Sequence, residues 1–207
     1  MNREMIFHFD HPHFGTIAEV SDVVGGKGAS LWAMTSRLGL PTPPGFTIGV
    51  DTCAMLGESE FTENFTAGIN SAIARLEEET GKQLGEPENP LLLAVRSGAS
   101  VSMPGMMETI LNVGVTPLTL PALQNITGDH FFALDSYRRF LEGFCKSTLN
   151  IDHPMFNAQT IEQAGLHDHI KDLETVMSER IGGERLCDAR YLLNECIHAV
   201  IRSSNSA

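Results

Sequence analysis

An apolar run that ends in an arginine is the feature that most constrains how this chain folds. Residues 91–95 are Leu-Leu-Leu-Ala-Val, and Arg96 follows, ahead of small residues, a Met-Pro-Gly turn and a second apolar run. The pattern predicts a central buried strand over residues 91–95, a loop, and a paired returning strand over residues 108–113. Burying an uncompensated charge is costly, so Arg96 needs a partner. Its planar donor fork suits a phosphate or carboxylate ligand, and a structural salt bridge is an equally good alternative.

A lysine among three glycines marks a second segment suited to anions. Gly25, Gly26, Lys27 and Gly28 stand at the start of a helical pattern that covers residues 27–38. Glycines let the backbone approach a ligand closely, amides at a helix start favour negative charge, and the lysine adds a point charge. The phosphate-loop pattern G-x-x-x-x-G-K-[ST] is absent from the sequence. A plain helix start without a ligand therefore stays open as the more ordinary alternative.

Four motifs, in one order along the chain, resemble a known family. They are Gly-Gly-Lys-Gly-Ala-Ser-Leu over residues 25–31, residues 38–47, residues 95–114, and Asp-Ser-Tyr-Arg-Arg-Phe over residues 135–140. The series resembles the N-terminal nucleotide-binding region of pyruvate, phosphate dikinase, from about residue 20 to about residue 202. Residues 97–105, Ser-Gly-Ala-Ser-Val-Ser-Met-Pro-Gly, are similar to the dikinase form. Phosphoenolpyruvate synthases and rifampicin phosphotransferases, which share the fold, usually carry an acidic segment there.

The resemblance implies an ATP-grasp-type fold in which ATP binds between two lobes. In the family, the β-phosphoryl group of ATP passes to a histidine on a separate swivelling domain, and then to pyruvate in a C-terminal barrel, giving phosphoenolpyruvate. Phosphoryl transfer depends on positioning and charge neutralisation, so cationic side chains, backbone amides and Mg²⁺ are the groups expected at the site. By the same resemblance, Lys27 and Arg96 contact the ATP phosphates, and Gly105 and Met107 belong to a loop that closes near them.

Six further residues in or beside the matched motifs are expected to support the phosphate site. They are Gly26, Gly28, Ser97, Glu108, Arg138 and Arg139. Arg138 and Arg139 are adjacent on a predicted helix and point in different directions, and ordinary salt bridges are the favoured alternative for both. Glu108 either orients a phosphate-binding cation or has a structural role, and we favour the structural role.

The departures from the family suggest an incomplete enzyme. The family enzyme is several times longer than the 207 residues here. No segment resembles the carrier-histidine domain or the barrel, and we expect the acidic metal ligands and most of the adenine pocket to lie outside this chain. No catalytic residue and no metal ligand is therefore assigned. The first hypothesis is the N-terminal ATP-binding part of a dikinase-like phosphotransferase. The alternative is a non-catalytic interaction module or remnant, which self-associates or pairs with a chain that supplies the missing lobe.

The charge balance narrows the classes of partner. The chain has 26 acidic and 14 basic residues, a net charge of −12, which argues against nucleic acid or an anionic membrane as partner. Four widely spaced cysteines without a C-x-x-C, and no apolar run long enough for a signal peptide or a membrane span, predict a cytoplasmic location with reduced thiols. The close histidines at positions 8, 11 and 13, and at 167 and 169, lack a further ligand, so we expect no metal site there.

The expected fold class is α+β, a partial ATP-grasp-like lobe with a small mixed sheet and packed helices, plus a helical subdomain. The lobe is expected over residues 1–116, the helical subdomain over 117–195, and the end of a returning helix with a C-terminal tail over 196–207. Helices are expected over residues 27–38, 62–80 and 129–144, and from 161 to about 202 with a break at 182–183; strands are expected over 4–9 and 46–50. The apolar face of the helix over 62–80 comprises Phe65, Ile69, Ala72, Ile73 and Leu76.

Overall fold

The computed structural model describes residues 5–12, 15–57, 59, 61–97, 109–151 and 165–205 of the chain. Contacts divide the chain into two compact units. The first comprises residues 1–81, 97–107 and 201–207, and the second comprises residues 82–96 and 108–200. Each unit contains helices and strands, which confirms the expected α+β class. The domain boundaries expected near residues 116 and 195 stay a prediction, because contacts within one chain do not test which segments fold alone.

Among the described residues, two short strands and three α-helices lie wholly in the first unit. Strand β1 (Ile6–His8) pairs antiparallel with β2 (Phe46–Ile48), so that Phe7 lies opposite Thr47. The helices are α1 (Ile17–Trp32), α2 (Val50–Leu56) and α3 (Glu63–Thr80). Helix α1 packs against α2 and β2, whereas α3 packs against β1. These contacts place the Gly25–Gly28 motif, which lies in α1, close to strand β2.

Helix α1 begins at Ile17, earlier than the glycine-rich sequence predicts, because a capping box starts it. The backbone N–H of Glu19 donates to Thr16 Oγ1 at 3.3 Å, and the Glu19 carboxylate accepts from the backbone N–H of Thr16 at 2.7 Å. Such a box satisfies donors that a helix start leaves open. The sequence did not predict the helical residues before Gly25, whereas the start predicted at residue 27 agrees with the segment that follows the non-helical Gly25. A π-helical segment (Ala33–Arg37) continues the helix, which ends near Gly39 as predicted, with φ of +60° at that glycine.

Apolar side chains from the strands and helices form the interior of the first unit. One buried cluster joins β1 to α1 and its continuation; its members are Phe7, Val20, Val24, Ala29, Trp32 and Ala33. Leu38, the last residue of the helix predicted over residues 27–38, is 67% exposed and does not belong to this interior. The five residues predicted as the apolar face of α3 are all buried, which confirms that helix and its orientation.

The second unit combines a two-stranded ribbon with helices. Strand β3 (Leu93–Arg96) pairs antiparallel with β4 (Thr109–Val113), and this confirms the predicted returning strand. Among its described residues, four helices lie wholly in this unit: α4 (Leu120–Thr127), α5 (His130–Ser147), α6 (Leu166–Ile181) and α7 (Gly183–Leu186). The last helix, α8 (Ala189–Asn205), belongs to this unit up to residue 200. The helix boundary at Gly182 confirms the break predicted at residues 182–183.

Helix α5 is the centre of packing in the second unit. It contacts β4, α4 and α6. Its start is capped by Asp129, whose carboxylate accepts a hydrogen bond of 2.9 Å from the backbone N–H of Phe132. Large side chains of this unit are fully buried, among them Ile110, Tyr137, Phe140, Leu141, Phe144, Leu166, Met177 and Leu192. The predicted helix over residues 129–144 is thus confirmed, and its apolar face forms much of the core.

The sheet differs from the expected small mixed sheet. Within the described residues, the strands form two separate antiparallel pairs, one in each unit. In that part of the chain strand β3 has one neighbour, with Ala94 and Arg96 exposed and Leu93 and Val95 half-buried, so the prediction of a central buried strand was wrong. An antiparallel ribbon can leave one face to solvent, which is why a strand with an apolar sequence tolerates an arginine at its end.

Candidate functional site

Lys27 follows a break inside helix α1. Gly25 has φ of 76° and ψ of 162°, far from helical values, so the helix is kinked at this residue and resumes towards Lys27. A side chain at this backbone conformation would be strained, which explains a glycine. The side chain of Lys27 is exposed. The kink therefore gives Lys27 the surroundings of a helix start, although the helix as a whole begins at Ile17.

Gly28 permits close packing between α1 and β2. A Cβ atom at Gly28 would lie 2.9 Å from Oγ1 and 3.2 Å from Cγ2 of Thr47, and 3.2 Å from Cβ of Val24. Gly26 has a different local role, because its carbonyl oxygen accepts a 2.8 Å hydrogen bond from Ser30 Oγ. Backbone conformation and packing thus account for Gly25 and Gly28, and the support of a phosphate by Gly26 and Gly28 remains a prediction.

The ammonium group of Lys27 is hydrogen-bonded to Ser97, the first residue of the dikinase-like segment over 97–105. Lys27 Nζ donates a 2.9 Å hydrogen bond to the backbone carbonyl oxygen of Ser97. The hydroxyl of Ser97, which is buried, is 3.1 Å from the hydroxyl of Ser204 near the end of α8. All three residues lie in the first unit. The structure thus brings together two of the residues predicted from sequence, Lys27 and Ser97, and adds Ser204.

Arg96 ends strand β3 on the exposed face of the ribbon. It lies opposite Thr109, whereas the preceding pair, Val95 and Ile110, points to the other face. Within the described residues, no carboxylate lies within ion-pair distance of either Arg96 or Lys27. The structural salt bridge that the sequence left open for Arg96 is thus not found in that part of the chain. Arg96 belongs to the second unit and Lys27 to the first, and each is described in its own surroundings.

Three residues predicted for the phosphate site lie outside the described residues. They are Gly105, Met107 and Glu108. Their roles in a closing loop, or in orienting a cation, stay predictions from the sequence.

Arg138 and Arg139 both form ion pairs, which is the alternative that the sequence favoured. Arg138, whose side chain is 9% exposed, donates to Asp135 Oδ1 at 2.6 Å and to Glu142 Oε2 at 2.7 Å. Arg139, at 61% exposure, donates to the other oxygen of Asp135 at 2.6 Å. His169 Nε2 of helix α6 is 2.8 Å from Glu142 Oε1, so the network joins α5 to α6.

Charge pairing dominates the electrostatics of this network. Burial by itself raises the pKa of Asp135, but the hydrogen bonds from Arg138 and Arg139 outweigh it and leave that pKa below its ordinary value. Burial by itself lowers the pKa of Arg138. The hydrogen bonds from Arg138 to Asp135 and Glu142 outweigh burial, so the pKa of Arg138 is raised. The buried guanidinium is thus committed to two carboxylates, which favours a structural role for Arg138 over phosphate contact.

Other chemistry in the described part of the chain is limited. All four cysteines are free thiols, and burial raises the pKa of Cys53 to about 11 and, together with the Glu142 charge, that of Cys145 to about 12. These two thiols are therefore poor nucleophiles. Among the described residues, no group of three or more His, Cys, Asp or Glu side chains is placed to hold a metal ion. None of the described helices has the length and apolar content needed to span a membrane.

Ser204 was not identified from the sequence, and no local signal points to it. It lies 107 residues beyond Ser97 in the chain, so only the folded structure places the two hydroxyls together. The position of Ser97 in the family motif, in contrast, was visible in the sequence and identified one end of this contact.

Comparison with known proteins shows what the chain is similar to. No family model matches it. It is 49% identical to a pyruvate, phosphate dikinase of Giardia intestinalis over 138 residues, which are 65% of this chain and 15% of that protein. It is 42% identical to that of Rickettsia felis over 185 residues, 86% of this chain and 21% of the relative. Pyruvate, phosphate dikinase 2 of Oryza sativa subsp. japonica is 34% identical over 219 aligned residues, 99% of this chain and 24% of the relative.

The similarity extends along most of this chain but along a small part of each relative. The chain spans between 15% and 24% of the length of these relatives. The resemblance inferred from the four motifs is confirmed, because the identities of 34% to 49% are found with relatives from a bacterium, a protist and a plant. This chain is therefore homologous to a limited part of the pyruvate, phosphate dikinases.

Proposed function

We propose that this chain is the N-terminal ATP-binding part of a pyruvate, phosphate dikinase-like phosphotransferase, built as a partial ATP-grasp-like lobe. Lys27 and Arg96 bind the phosphates of ATP in this proposal. The observation that carries it is the hydrogen bond from Lys27 Nζ to the carbonyl oxygen of Ser97. This bond holds the exposed ammonium group of Lys27 at Ser97. Ser97 is the first residue of the segment over 97–105, in which dikinases differ from their relatives. The family similarity supplies the rest of the argument.

Lys27 has donors to spare for an anion. A lysine ammonium carries three N–H groups, and the carbonyl of Ser97 takes one of them. A carbonyl oxygen is neutral, so the bond orients the ammonium group without cancelling its charge. In the described part of the chain, no carboxylate competes for it. An oriented and uncompensated cation on a net acidic chain is a suitable group for a phosphate oxygen.

Arg96 is supported by its own surroundings. Its side chain leaves the exposed face of the β3–β4 ribbon, where solvent and ligands have access. A guanidinium offers a planar fork of donors that fits two oxygens of one phosphate. The strand pairing of Arg96 with Thr109 fixes the backbone position from which the guanidinium group extends. These features favour a ligand contact over a role in holding the fold together.

The chemistry proposed for these residues is binding, orientation and charge neutralisation. In the intact system the phosphoryl group passes to a carrier histidine of another domain, and then to pyruvate to give phosphoenolpyruvate. Mg²⁺, when bound with ATP, supplies further neutralisation of the phosphate charge. By the family resemblance, we place the protein ligands of Mg²⁺ in the second lobe. Gly105 and Met107 are proposed to belong to a loop that closes near the phosphates.

The test is stabilisation of the chain by MgATP in a thermal melt. A ligand present at about 100 times its dissociation constant adds about 2.7 kcal/mol to the stability of the native state. For a chain of this length, that corresponds to a rise of several degrees in the melting temperature. We expect a rise in the wild type that is reduced in Lys27→Ala and in Arg96→Ala and abolished in the double variant.

Two exposed cations of helix α6 provide matched controls. Lys171→Ala and Arg180→Ala remove the same charges from positions that the proposal does not use. Both variants should respond to MgATP as the wild type does. A wild type that MgATP does not stabilise, or equal responses from the site variants and these controls, would contradict the proposal.

A second candidate function is pairing with another chain that supplies the missing lobe. Three apolar side chains around the junction of α4 and α5 favour it, because Ile126, Phe131 and Phe132 are 59%, 38% and 53% exposed. Exposed apolar residues of this size, when grouped, commonly mark interaction surfaces. Light scattering of the wild type and of Phe132→Ser, alone and mixed with a chain that carries the remaining dikinase domains, tests this candidate. A wild type that stays monomeric in both conditions would exclude it.

A further inference from the structure

We propose that Ser204 is a positioning residue for Lys27, and that the end of helix α8 thereby helps to form the phosphate site. This inference rests on the proposed function, since it assigns to Ser204 the task of holding the ammonium group where a phosphate is bound. Two hydrogen bonds connect the residues. Ser204 Oγ is 3.1 Å from Ser97 Oγ, and the carbonyl oxygen of Ser97 accepts from Lys27 Nζ at 2.9 Å.

Ser97 transmits the position of Ser204 to Lys27 because its polar groups are both engaged. Its hydroxyl is bonded to Ser204 and its carbonyl to Lys27, and the residue is only 4% exposed. A buried hydroxyl that loses its partner is destabilised by the lack of a compensating hydrogen bond, so it drives a local rearrangement. Hydroxyl and carbonyl belong to one residue, so a shift of the Ser97 backbone moves the acceptor that Lys27 uses.

The end of α8 is a firm support for this contact. Ser204 lies within the helix, which extends to Asn205. Ile201, three positions earlier and thus on the same helix face, is 3% exposed, so packing holds this part of the helix in place. Ile201, Ser204, Ser97 and Lys27 all belong to the first unit. The hydroxyl of Ser204 is therefore fixed by a packed helix rather than by a mobile terminus.

The benefit for binding is pre-organisation. Lysine has a flexible four-carbon stem, and holding its ammonium group in one place costs side-chain entropy. A lysine that is already held by Ser97 loses less entropy when a phosphate binds. Removal of the Ser204 hydroxyl should therefore weaken phosphate binding through Lys27 alone, and leave contacts made by other residues unchanged.

The direct test measures the position of Lys27 without any nucleotide. Reductive methylation of the intact chain with ¹³C-formaldehyde, followed by NMR or mass spectrometry, reports the reactivity of the Lys27 amine. An amine that is held against the carbonyl of Ser97 meets the reagent less often than one at the end of a freely moving side chain, so methylation is slowed. We expect Ser204→Ala to raise the rate at Lys27 by about threefold to tenfold, which is the range that one hydrogen bond supplies.

Variants that keep or remove the hydroxyl separate positioning from a general loss of packing. Ser204→Thr retains a hydroxyl and should restore the wild-type rate, and Ser203→Ala changes the adjacent residue of the same helix and should leave the rate unaltered. If Ser204→Ala does not fold, Ser97→Ala breaks the same pair from the other side and should raise the rate equally. An unchanged rate at Lys27 in a folded Ser204→Ala or Ser97→Ala variant would overturn the inference.

A double-mutant cycle with MgATP connects the positioning to binding. Ser204→Ala should weaken MgATP binding by about threefold to tenfold in the wild type and have no effect in Lys27→Ala, because the residues act as one unit. Equal effects in both backgrounds would overturn the inference while the proposed function stands. A wild type that fails to bind MgATP would refute the proposed function, and the methylation rates would still decide whether Ser204 positions Lys27.

Discussion

Gly28 of helix α1 and Thr47 of strand β2 are in such close contact that a single added carbon would collide. A Cβ atom at Gly28 would be 2.9 Å from Oγ1 and 3.2 Å from Cγ2 of the threonine, with Cβ of Val24 also at 3.2 Å. Thr47 and Val24 are β-branched and have stiff side chains, so neither yields easily. The glycine therefore sets the distance between α1 and β2, and with it the place of Lys27 one residue before.

Gly28→Ala should therefore destabilise the fold. Overpacking of this kind costs about 1–3 kcal/mol, and the better helix propensity of alanine returns about 0.5–1 kcal/mol of it. We expect a net loss of about 1–2 kcal/mol in the free energy of unfolding, measured with urea. Gly143→Ala in α5 is the matched control, because its Cβ would be 3.9 Å from Ile110 Cγ2 and fits. The control should be neutral or stabilising. Equal changes in the two variants would contradict this account.

Gly25→Ala should destabilise the chain for a different reason, its backbone conformation. With φ of 76° and ψ of 162°, this residue occupies a region that only glycine adopts freely. The strain of an alanine there is about 1–3 kcal/mol, and relief by straightening the helix would displace Lys27. Urea unfolding measures the loss, and the methylation rate of Lys27 should change together with it. A variant as stable as the wild type would show that the kink does not depend on glycine.

Local patterns in the sequence were sufficient to predict elements whose packing follows their own periodicity. Helix α3 is the clear case, since the spacing from Phe65 to Leu76 identified both the helix and its buried face. The part of α1 before Gly25 was missed because its glycines argued against a helix before residue 27, although the capping box at Thr16 and Glu19 argued for one. The bonds from Lys27 to Ser97 and from Ser97 to Ser204 join residues 70 and 107 positions apart, and no local pattern encodes such contacts.

Two adjacent arginines of α5 should differ strongly in their contribution to stability, although both bind Asp135. Arg138 is buried between Asp135 and Glu142, and its loss leaves Asp135 with Arg139 and Glu142 with His169 but removes the buried charge between them, which costs up to about 3 kcal/mol. Arg139 is 61% exposed, and its pairing is worth less than about 1 kcal/mol. Urea unfolding of Arg138→Met and Arg139→Met, each retaining a long stem, measures the difference. Similar losses in the two variants would show that the network around Asp135 is not what stabilises the junction of α5 and α6.

Tyr137 gives the fold a dependence on alkaline pH. Its side chain is fully buried, and its hydroxyl donates to Glu174 Oε1 at 2.9 Å. Burial, and then the negative charge of Glu174, raise the pKa of this phenol well above its ordinary value of 10.0. Since the folded-state pKa is the higher one, the associated stability is complete below pH 10 and is lost as the pH rises above it, where the unfolded chain releases the proton.

Tyr137→Phe should therefore change both the stability at neutral pH and its slope in alkali. At neutral pH the variant should be less stable by about 1 kcal/mol, the usual worth of one hydrogen bond. Above pH 10 the wild type should lose up to about 1.4 kcal/mol per pH unit from this group, so the difference between the two proteins shrinks and then reverses. Urea unfolding from neutral pH to about pH 11 measures both effects. Tyr191→Phe, which removes the other tyrosine, should retain the alkaline loss, and an identical slope in Tyr137→Phe and the wild type would exclude Tyr137 as its source.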